Sequence, residues 1–299
     1  RFLKGSSQTL AKSLAAAGIT LYEGRGVCAG KGQAIVRSES GEEMLTTVNI
    51  ILSCGSSSAS FPGLAPDGDA VLDSTGVLNL PEVPESLIIV GAGAIGLELG
   101  DFFGMMGSKI TIVEAAPHIA PTEDADIAKE MDRVQSKAGR TCISGVMAKS
   151  LVTKDGQAEL TLGDGRVLTA SKALVAVGRT PNTAGLDCEK TGCTLKRRGF
   201  VDVNDHLEAV SVSQVPLTLN PIAQAAGASG GFVKVAWTGD AIAGIAAIGH
   251  GVSHLVTVAQ LLMVGGYTPE RLHEVMIGHP TLDEIVPAAI RAPRVAVTE

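Results

Sequence analysis

Residues 87–96 read Leu-Ile-Ile-Val-Gly-Ala-Gly-Ala-Ile-Gly, and this stretch decides the fold. Four apolar residues predict a buried strand, and the pattern Gly91-x-Gly93-x-x-Gly96 predicts a tight turn into a helix. We expect Gly91 to make the turn, Gly93 to let a pyrophosphate approach the backbone, and Gly96 to let the helix pack closely on the sheet. Free N–H groups at the helix N-terminus would then face the phosphates. The stretch therefore predicts a dinucleotide-binding unit.

The next apolar strand ends at Glu114, which selects between the two nicotinamide cofactors. A carboxylate at this place accepts hydrogen bonds from the ribose hydroxyls. It would repel a 2′-phosphate, which needs a nearby Arg or Lys, and residues 115–121 contain neither. The sequence therefore predicts NAD(H) rather than NADP(H).

The composition excludes several classes of partner. A net charge of −7 over 299 residues argues against nucleic acid or an anionic membrane as the main partner. The longest apolar run, Leu87 to Leu99, is interrupted by Glu98 and is too short to span a bilayer. Five irregularly spaced cysteines do not make a secreted disulfide framework, and no secretory signal is visible, so we expect a cytoplasmic protein.

The rest of the chain predicts an α/β protein followed by an α+β module. Residues 48–52 are expected to form a buried strand that leads to Gly55, and residues 61–84 a linker. The run 173–177 is apolar throughout, as in a parallel strand buried on both faces. After residue 210, two strands around a tight turn and several helices are expected, one of them starting at Thr268-Pro269.

Four motifs in a fixed order carry a family resemblance that covers nearly the whole chain. They are the fingerprint 91–98, the turn Gly178-Arg-Thr-Pro-Asn182, the segment Arg198-Gly-Phe-Val-Asp-Val-Asn204 and the closing His279-Pro-Thr-Leu-Asp-Glu284. Together they resemble the pyridine nucleotide–disulfide oxidoreductases, and among these the members that oxidise dihydrolipoamide. The resemblance implies electron transfer from a dithiol through a cysteine pair and FAD to NAD+. Mercuric or glutathione reductase types of the same family are the alternatives.

The resemblance also implies a domain plan and cofactor contacts. Residues 1–80 would be the C-terminal part of an FAD-binding domain, 81–205 a doubly wound Rossmann-like NAD domain, and 211–299 a dimerisation domain. Ser53-Cys-Gly-Ser56 looks like the family's turn beside the flavin, which makes Gly55 a flavin contact. Gly178 and Arg179 would also bind a cofactor.

The resemblance gives Glu98 a place facing the contact between nicotinamide and flavin. The alternative interpretation is a carboxylate in the first turns of a helix, where it suits the helix dipole.

His279 and Glu284 are the predicted catalytic residues. By resemblance, His279 is the base that takes a proton from a dithiol at the disulfide of a partner subunit, so the protein would be a homodimer with a small-molecule or lipoyl-domain dithiol as substrate. Glu284 would orient the imidazole. From spacing alone, a His before Pro is more often a loop residue, and Thr281-x-x-Glu284 is a capping box. Both roles are compatible, because a carboxylate has two oxygens.

Two other pairs carry weaker signals. Cys188 and Cys193 have the spacing of the family's redox pair, but their surroundings differ, which favours two ordinary thiols on a surface connection. His250 and His254 have helical i, i+4 spacing without the further ligands of a zinc site, so no metal is predicted.

The family's FAD-binding strand and its Cys-x4-Cys pair find no match before Arg1. We therefore expect the given sequence to be part of a longer polypeptide. A complete chain could instead be a non-catalytic NAD(H)-binding module.

Overall fold

The computed structural model describes residues 2–201 and 211–296, which fall into two compact units. One unit contains the described residues up to 59 and from 179 to 201; the other contains 60–178 and 211–296. The predicted segment 198–204 is described only as far as Val201, and the proposed domain boundary at 205–211 also falls largely outside the described residues.

The first unit is small and its sheets are antiparallel. Strands β1, β2 and β3 form one sheet in that order, and β4 pairs with the late strand β13. Its elements are α1 (Phe2–Ala16), β1 (Arg25–Gly30), β2 (Gln33–Ser38), β3 (Gly41–Thr46), β4 (Ser56–Ser58) and β13 (Arg179–Pro181).

The buried strand expected at 48–52 is wrong. No described strand pairs with this segment, and Val48 and Ile51 are 93% and 89% exposed. An apolar run becomes a strand only when a neighbouring strand satisfies its N–H and C=O groups, and this segment has none among the described residues. Its apolar character alone therefore did not predict its structure.

A five-stranded sheet, parallel throughout, forms the centre of the second unit. The strand order is β5-β12-β6-β7-β8, with α3 and α4 as the connections after β6 and β7. Leu87, Ile88 and Ile89 are buried, as expected for a strand covered on both faces. The elements are β5 (Val71–Leu72), α2 (Ser74–Leu78), β6 (Ser86–Val90), α3 (Ala94–Met105), β7 (Lys109–Val113), α4 (Ala125–Lys137), β8 (Thr141–Ile143) and β12 (Lys172–Val175).

This sheet confirms the Rossmann-like prediction and corrects one detail. The segment 61–84 is not a linker throughout, because β5 adds a strand to the parallel sheet and α2 follows it. An antiparallel sheet in the order β11-β10-β9 comes between β8 and β12 along the chain. Its strands are β9 (Ala148–Lys154), β10 (Gln157–Leu162) and β11 (Val167–Ala170).

The C-terminal residues form the expected α+β module. The antiparallel sheet β16-β15-β14-β17 packs against helices around the fully buried Trp237. The elements are β14 (Ser211–Pro216), α5 (Pro221–Ala225), β15 (Gly231–Thr238), β16 (Ala241–Gly249), α6 (Leu255–Val264), α7 (Ile285–Arg291) and β17 (Val295–Ala296).

The helix expected from Thr268 is a single 3-10 turn, Arg271–Glu274. Within that turn only Leu272 is buried, and Met276 beyond it is almost fully exposed. Helices are held mainly by packing of an apolar face, and this segment has too little of one.

A buried lysine joins this module to the start of α4. Lys234 Nζ on β15 lies 2.8 Å from Asp124 Oδ1 and 2.9 Å from Asp126 Oδ2. Burial alone would raise the pKa of Asp124, but hydrogen bonds from Lys234 and a backbone N–H bring that pKa below its ordinary value. Burial likewise opposes the charge of Lys234, yet the two carboxylates raise its pKa. The two carboxylates therefore hold Lys234 in its charged form.

No helix in the described ranges combines the length and the apolar character needed to cross a membrane.

Candidate functional site

Two of the three fingerprint glycines are required by packing. Gly91 has φ +102°, and a Cβ there would lie 2.4 Å from the carbonyl oxygen of Ala176. A Cβ on Gly96 would lie 2.0 Å from the carbonyl oxygen of Gly91. No side chain fits at such distances. Gly91 therefore makes the turn, and Gly96 lets α3 approach it, as the sequence predicted.

At Gly93, by contrast, there is free space where a side chain would lie. Its φ is −75°, and a Cβ there would meet nothing within 4 Å. Gly93 is the N-cap of α3, and this helix has no side-chain cap and no acid in its first turn. The N-cap residue therefore supplies no side chain to the N–H groups of the first helical turn, where the positive end of the helix dipole lies. This arrangement suits a bound anion.

Gly91 and Gly93 line a cavity of about 730 Å³ within the second unit. Its lining is mainly apolar and also includes Glu114 and Gly178. The lining residues are Phe61, Pro62, Leu64, Val90, Gly91, Gly93, Val113, Glu114, Ala115, Pro121, Thr122, Met147, Ala148, Lys149, Ala176, Val177 and Gly178. The volume is in the range of small-molecule and cofactor sites, and an apolar lining with a few polar side chains is typical of them.

Glu114 braces the glycine turn as well as lining the cavity. Its Oε2 accepts the N–H of Ala92 at 2.7 Å, and its Oε1 accepts the N–H of Ala116 at 2.8 Å. An ionised carboxylate has about four acceptor positions, so each oxygen can accept a further hydroxyl. The sequence predicted the ligand role of Glu114 but not this structural one.

Lys149 on β9 also lines the cavity, and the sequence reasoning missed it. Residues 115–121, which follow Glu114 directly, contain no Arg or Lys, whereas Lys149 comes from the next sheet along the chain. Only the topology could have revealed that β9 reaches the cavity.

Glu98 does not line this cavity. It is exposed on α3 and borders a second cavity of about 490 Å³, together with Asp101, Glu123 and the β16 residues Ala247 and Ile248. Glu98 thus faces a different cavity from Gly91 and Gly93, and its place beside a flavin stays a prediction.

Gly55 and Arg179 come together in the first unit. Gly55 has φ +69°, and a Cβ there would meet nothing nearer than Asn182 Nδ2 at 3.9 Å. Arg179 Nε donates to Ser56 Oγ at 2.6 Å, and its guanidinium also donates to the Ser56 carbonyl. Asn182 donates to the carbonyl of Cys54 at 3.2 Å. Arg179 thus fixes the turn that carries Gly55.

His279 and Glu284 form a hydrogen-bonded pair near the C-terminus. His279 Nδ1 lies 2.8 Å from Glu284 Oε1, while the Thr281 N–H donates to Glu284 Oε2 at 3.1 Å in a capping box. The imidazole is 73% exposed, so a reactant can reach its other nitrogen. The bond from His279, with that from Thr281, holds the pKa of Glu284 below its ordinary value. The carboxylate thus serves both the histidine and the cap, as the sequence allowed.

The cysteine and histidine pairs differ in their surroundings. The expectation that Cys188 lies on a surface connection is wrong, because it is fully buried beside Cys28. His250 and His254 are both exposed. In the described ranges no group of three His, Cys, Asp or Glu side chains could hold a metal ion.

Comparison with known families identifies the chain. The model of the family described as pyridine nucleotide-disulphide oxidoreductase matches residues 4–215, and that of its dimerisation domain matches residues 202–290. The chain belongs to this family. The predicted resemblance is confirmed, as are the Rossmann-like region and the dimerisation module. Pyridine nucleotide-disulphide oxidoreductases use FAD together with NAD or NADP.

Several curated relatives of this family are named dihydrolipoyl dehydrogenase. The chain is 35% identical to a dihydrolipoyl dehydrogenase of Cupriavidus necator over 63% of this chain and 40% of that protein. It is 34% identical to the human mitochondrial dihydrolipoyl dehydrogenase over 62% of this chain and 38% of the relative. The matched region therefore spans about two-fifths of these relatives.

Solved structures support the fold. LpdA of Mycobacterium tuberculosis superposes with a TM-score of 0.81 at 20% identity, covering 96% of this chain and 80% of that one. At this identity the likeness shows the fold alone. The cytoplasmic location stays a prediction.

Proposed function

We propose that this protein acts as a flavin-dependent dihydrolipoamide dehydrogenase that oxidises a dithiol and reduces NAD+. The observation that carries the proposal is the pairing of His279 with Glu284, at the C-terminal motif of a chain whose family transfers electrons between disulfides and pyridine nucleotides. The relatives named dihydrolipoyl dehydrogenase support this substrate class over the mercuric and glutathione types.

His279 would act as a base. With Nδ1 donating to Glu284 Oε1, the other nitrogen, Nε2, carries the free lone pair and can take the proton of a thiol. The resulting thiolate is the species that attacks a disulfide sulfur. Glu284 is then a positioning residue, because it fixes the tautomer and stabilises the imidazolium that forms. Overall, dithiol and NAD+ give disulfide, NADH and a proton.

NAD(H) would occupy the cavity at the glycine turn. The pyrophosphate would lie over Gly93 at the N-terminus of α3, where no Cβ stands in the way. Glu114 would accept the ribose hydroxyls with the acceptor positions that Ala92 and Ala116 leave open. Lys149 also lines the cavity and is the kind of cation that a 2′-phosphate needs, so substituting Lys149 tests the preference for NAD over NADP.

FAD would contact the turn at Gly55, which Arg179 and Asn182 hold in place. The open space above Gly55 is compatible with a flat ring system. When bound, FAD supplies the step that links two-electron thiol chemistry to hydride transfer. The role of this chain's residues there is to hold the turn rigid.

A homodimer follows from the same proposal. The dimerisation domain at 202–290 carries His279, and in the family this base serves the disulfide of the partner subunit. Size-exclusion chromatography with light scattering should give the mass of two chains.

A substrate comparison on the full-length polypeptide tests the activity. We expect flavin absorbance and NAD+ reduction with dihydrolipoamide at a kcat/KM well above that with reduced glutathione or coenzyme A. A higher kcat/KM with glutathione would overturn the substrate class. A colourless protein that binds NADH without any dithiol activity would overturn the enzyme proposal in favour of a binding module.

A further inference from the structure

Three of the five cysteines lie together in the first unit, apart from the family's motifs. Cys28 is on β1, and its N–H donates to the carbonyl of Leu186 at 2.8 Å. Cys188 follows two residues later and opens a 3-10 turn. β1 is therefore hydrogen-bonded to the chain segment that carries Cys188.

Cys188 is the centre of this cysteine cluster. It is fully buried, as is Cys28 on the neighbouring strand β1, which packs against the 3-10 turn that starts at Cys188. Cys193 is the third thiol that acts on Cys188, and it is partly exposed. Thr191 Oγ1 connects the two ends of the turn, lying 2.6 Å from the Cys188 carbonyl oxygen and 3.3 Å from Cys193 Sγ.

We propose that Cys193, Cys188 and Cys28 form a thiol relay that hydroperoxides oxidise, entering at Cys193 and ending as a buried Cys28–Cys188 disulfide. The relay is a modification site separate from the His279 chemistry. Its test therefore does not depend on the proposed dehydrogenase activity.

Each step balances. The Cys193 thiolate attacks the peroxide O–O bond, giving a sulfenic acid and releasing an alcohol or water. The Cys188 thiol displaces water from that sulfenic acid, forming a Cys188–Cys193 disulfide. Cys28 then attacks the Cys188 sulfur, and Cys193 leaves as a thiol. Overall, two thiols lose two electrons and two protons to one hydroperoxide.

The order of the steps follows from exposure. A thiol reacts as its thiolate, and burial suppresses that form. Burial raises the pKa of Cys188, and both Cys188 and Cys28 are shielded from solvent, so these two thiols suit the later steps. Partly exposed Cys193 is the one a peroxide can reach. Cys142 is the matched control, because burial raises its pKa to about 11 and it lies on β8 in the other unit.

Tryptic mapping resolves the relay because basic residues separate the three thiols. Cys28, Cys188 and Cys193 fall on peptides 26–31, 180–190 and 191–196, respectively. The protein is treated with hydrogen peroxide, alkylated at successive times and digested without reduction. We expect an early cross-link between 180–190 and 191–196, a later one between 26–31 and 180–190, and loss of both with dithiothreitol.

Variants test the order. Cys193→Ser should slow formation of the Cys28–Cys188 cross-link about tenfold or more, because the exposed entry thiol is gone. Cys28→Ala should stop the sequence at the Cys188–Cys193 cross-link, and Cys142→Ser should change nothing. If Cys28→Ala does not fold, the time course of the unsubstituted protein still gives the order. Oxidation of Cys193 without any cross-link to peptide 180–190, or no oxidation at all, would overturn the relay.

Discussion

His279 Nδ1 lies 2.8 Å from Glu284 Oε1, and the second oxygen of the same carboxylate caps the turn that follows His279. The capping box thus fixes the carboxylate that orients the imidazole. The orientation of this exposed imidazole is therefore set by the same carboxylate that caps the local backbone.

Replacing His279 with Gln should separate the two halves of the reaction. Because a general base contributes about 10²-fold or more, dihydrolipoamide oxidation by the full-length enzyme should fall by at least that factor. Oxidation of NADH by an artificial acceptor should remain, since it needs no thiol deprotonation. Equal loss of both activities in steady-state assays would contradict the assignment of His279.

The titration of Glu284 reports on the pair directly. Because the pKa of Glu284 is lower in the folded than in the unfolded chain, its contribution to stability is present above the ordinary carboxyl pKa. It is lost as the pH falls through the lowered value. Carboxyl-carbon NMR should show the His279→Gln variant with a higher Glu284 pKa than the unsubstituted protein. An unchanged Glu284 pKa would mean that the two side chains do not interact in solution.

Lys234, Asp124 and Asp126 form a charged cluster. Removing its lysine and removing its two carboxylates should lower the free energy of unfolding by different amounts. Lys234→Met leaves two carboxylates that still reach water, at a cost of about 1 kcal/mol in free energy of unfolding. The double change Asp124→Asn and Asp126→Asn keeps a possible N-cap but leaves an ammonium that is only 10% exposed, costing about 2 kcal/mol or more. Urea unfolding at neutral pH measures both, and the reverse order would contradict the buried-charge account.

The pKa shifts of this cluster predict the pH range in which its ion pairs stabilise the fold. The lowered pKa of Asp124 means that its contribution is present above the ordinary carboxyl pKa and lost as the pH falls through the lowered value. Because the pKa of Lys234 is raised, its contribution to the free energy of unfolding is fully present below the ordinary lysine pKa. It is lost as the pH rises through the raised value. The stability difference caused by Lys234→Met should therefore shrink in acid.

The nucleotide-binding unit was predictable because its signals are local. An apolar strand, three glycines at fixed spacing and a terminal acid fall within residues 87–114, and each takes its expected place. The pairing of His279 with Glu284 followed from a short motif in the same way. Two other features depend on residues that are far apart along the chain, so only the topology reveals them. Lys149 lines the cavity of the glycine turn, and Cys28 lies beside Cys188.

The segment 48–52 is a place where the sequence predicted a strand that the structure does not contain. Its residues are as apolar as those of a buried strand, but the described chain supplies no neighbouring strand to pair with it. Apolar character predicts that a segment can be buried, whereas pairing depends on what lies beside it.

Binding of NAD(H) over Gly93 is tested most directly by a Gly93→Ala variant. At φ −75° with open space around it, alanine should cost no more than about 1 kcal/mol of folding stability, the scale of an N-cap change. Gly26→Ala is the control, because it also adds a methyl group to open space but does not line the cavity.

NADH fluorescence titration of the three proteins is the measurement. We predict that Gly93→Ala raises the Kd for NADH by about tenfold or more, equivalent to about 1.4 kcal/mol, while Gly26→Ala leaves the Kd unchanged. A correctly folded Gly93→Ala protein that binds NADH as tightly as the unsubstituted protein would contradict the account.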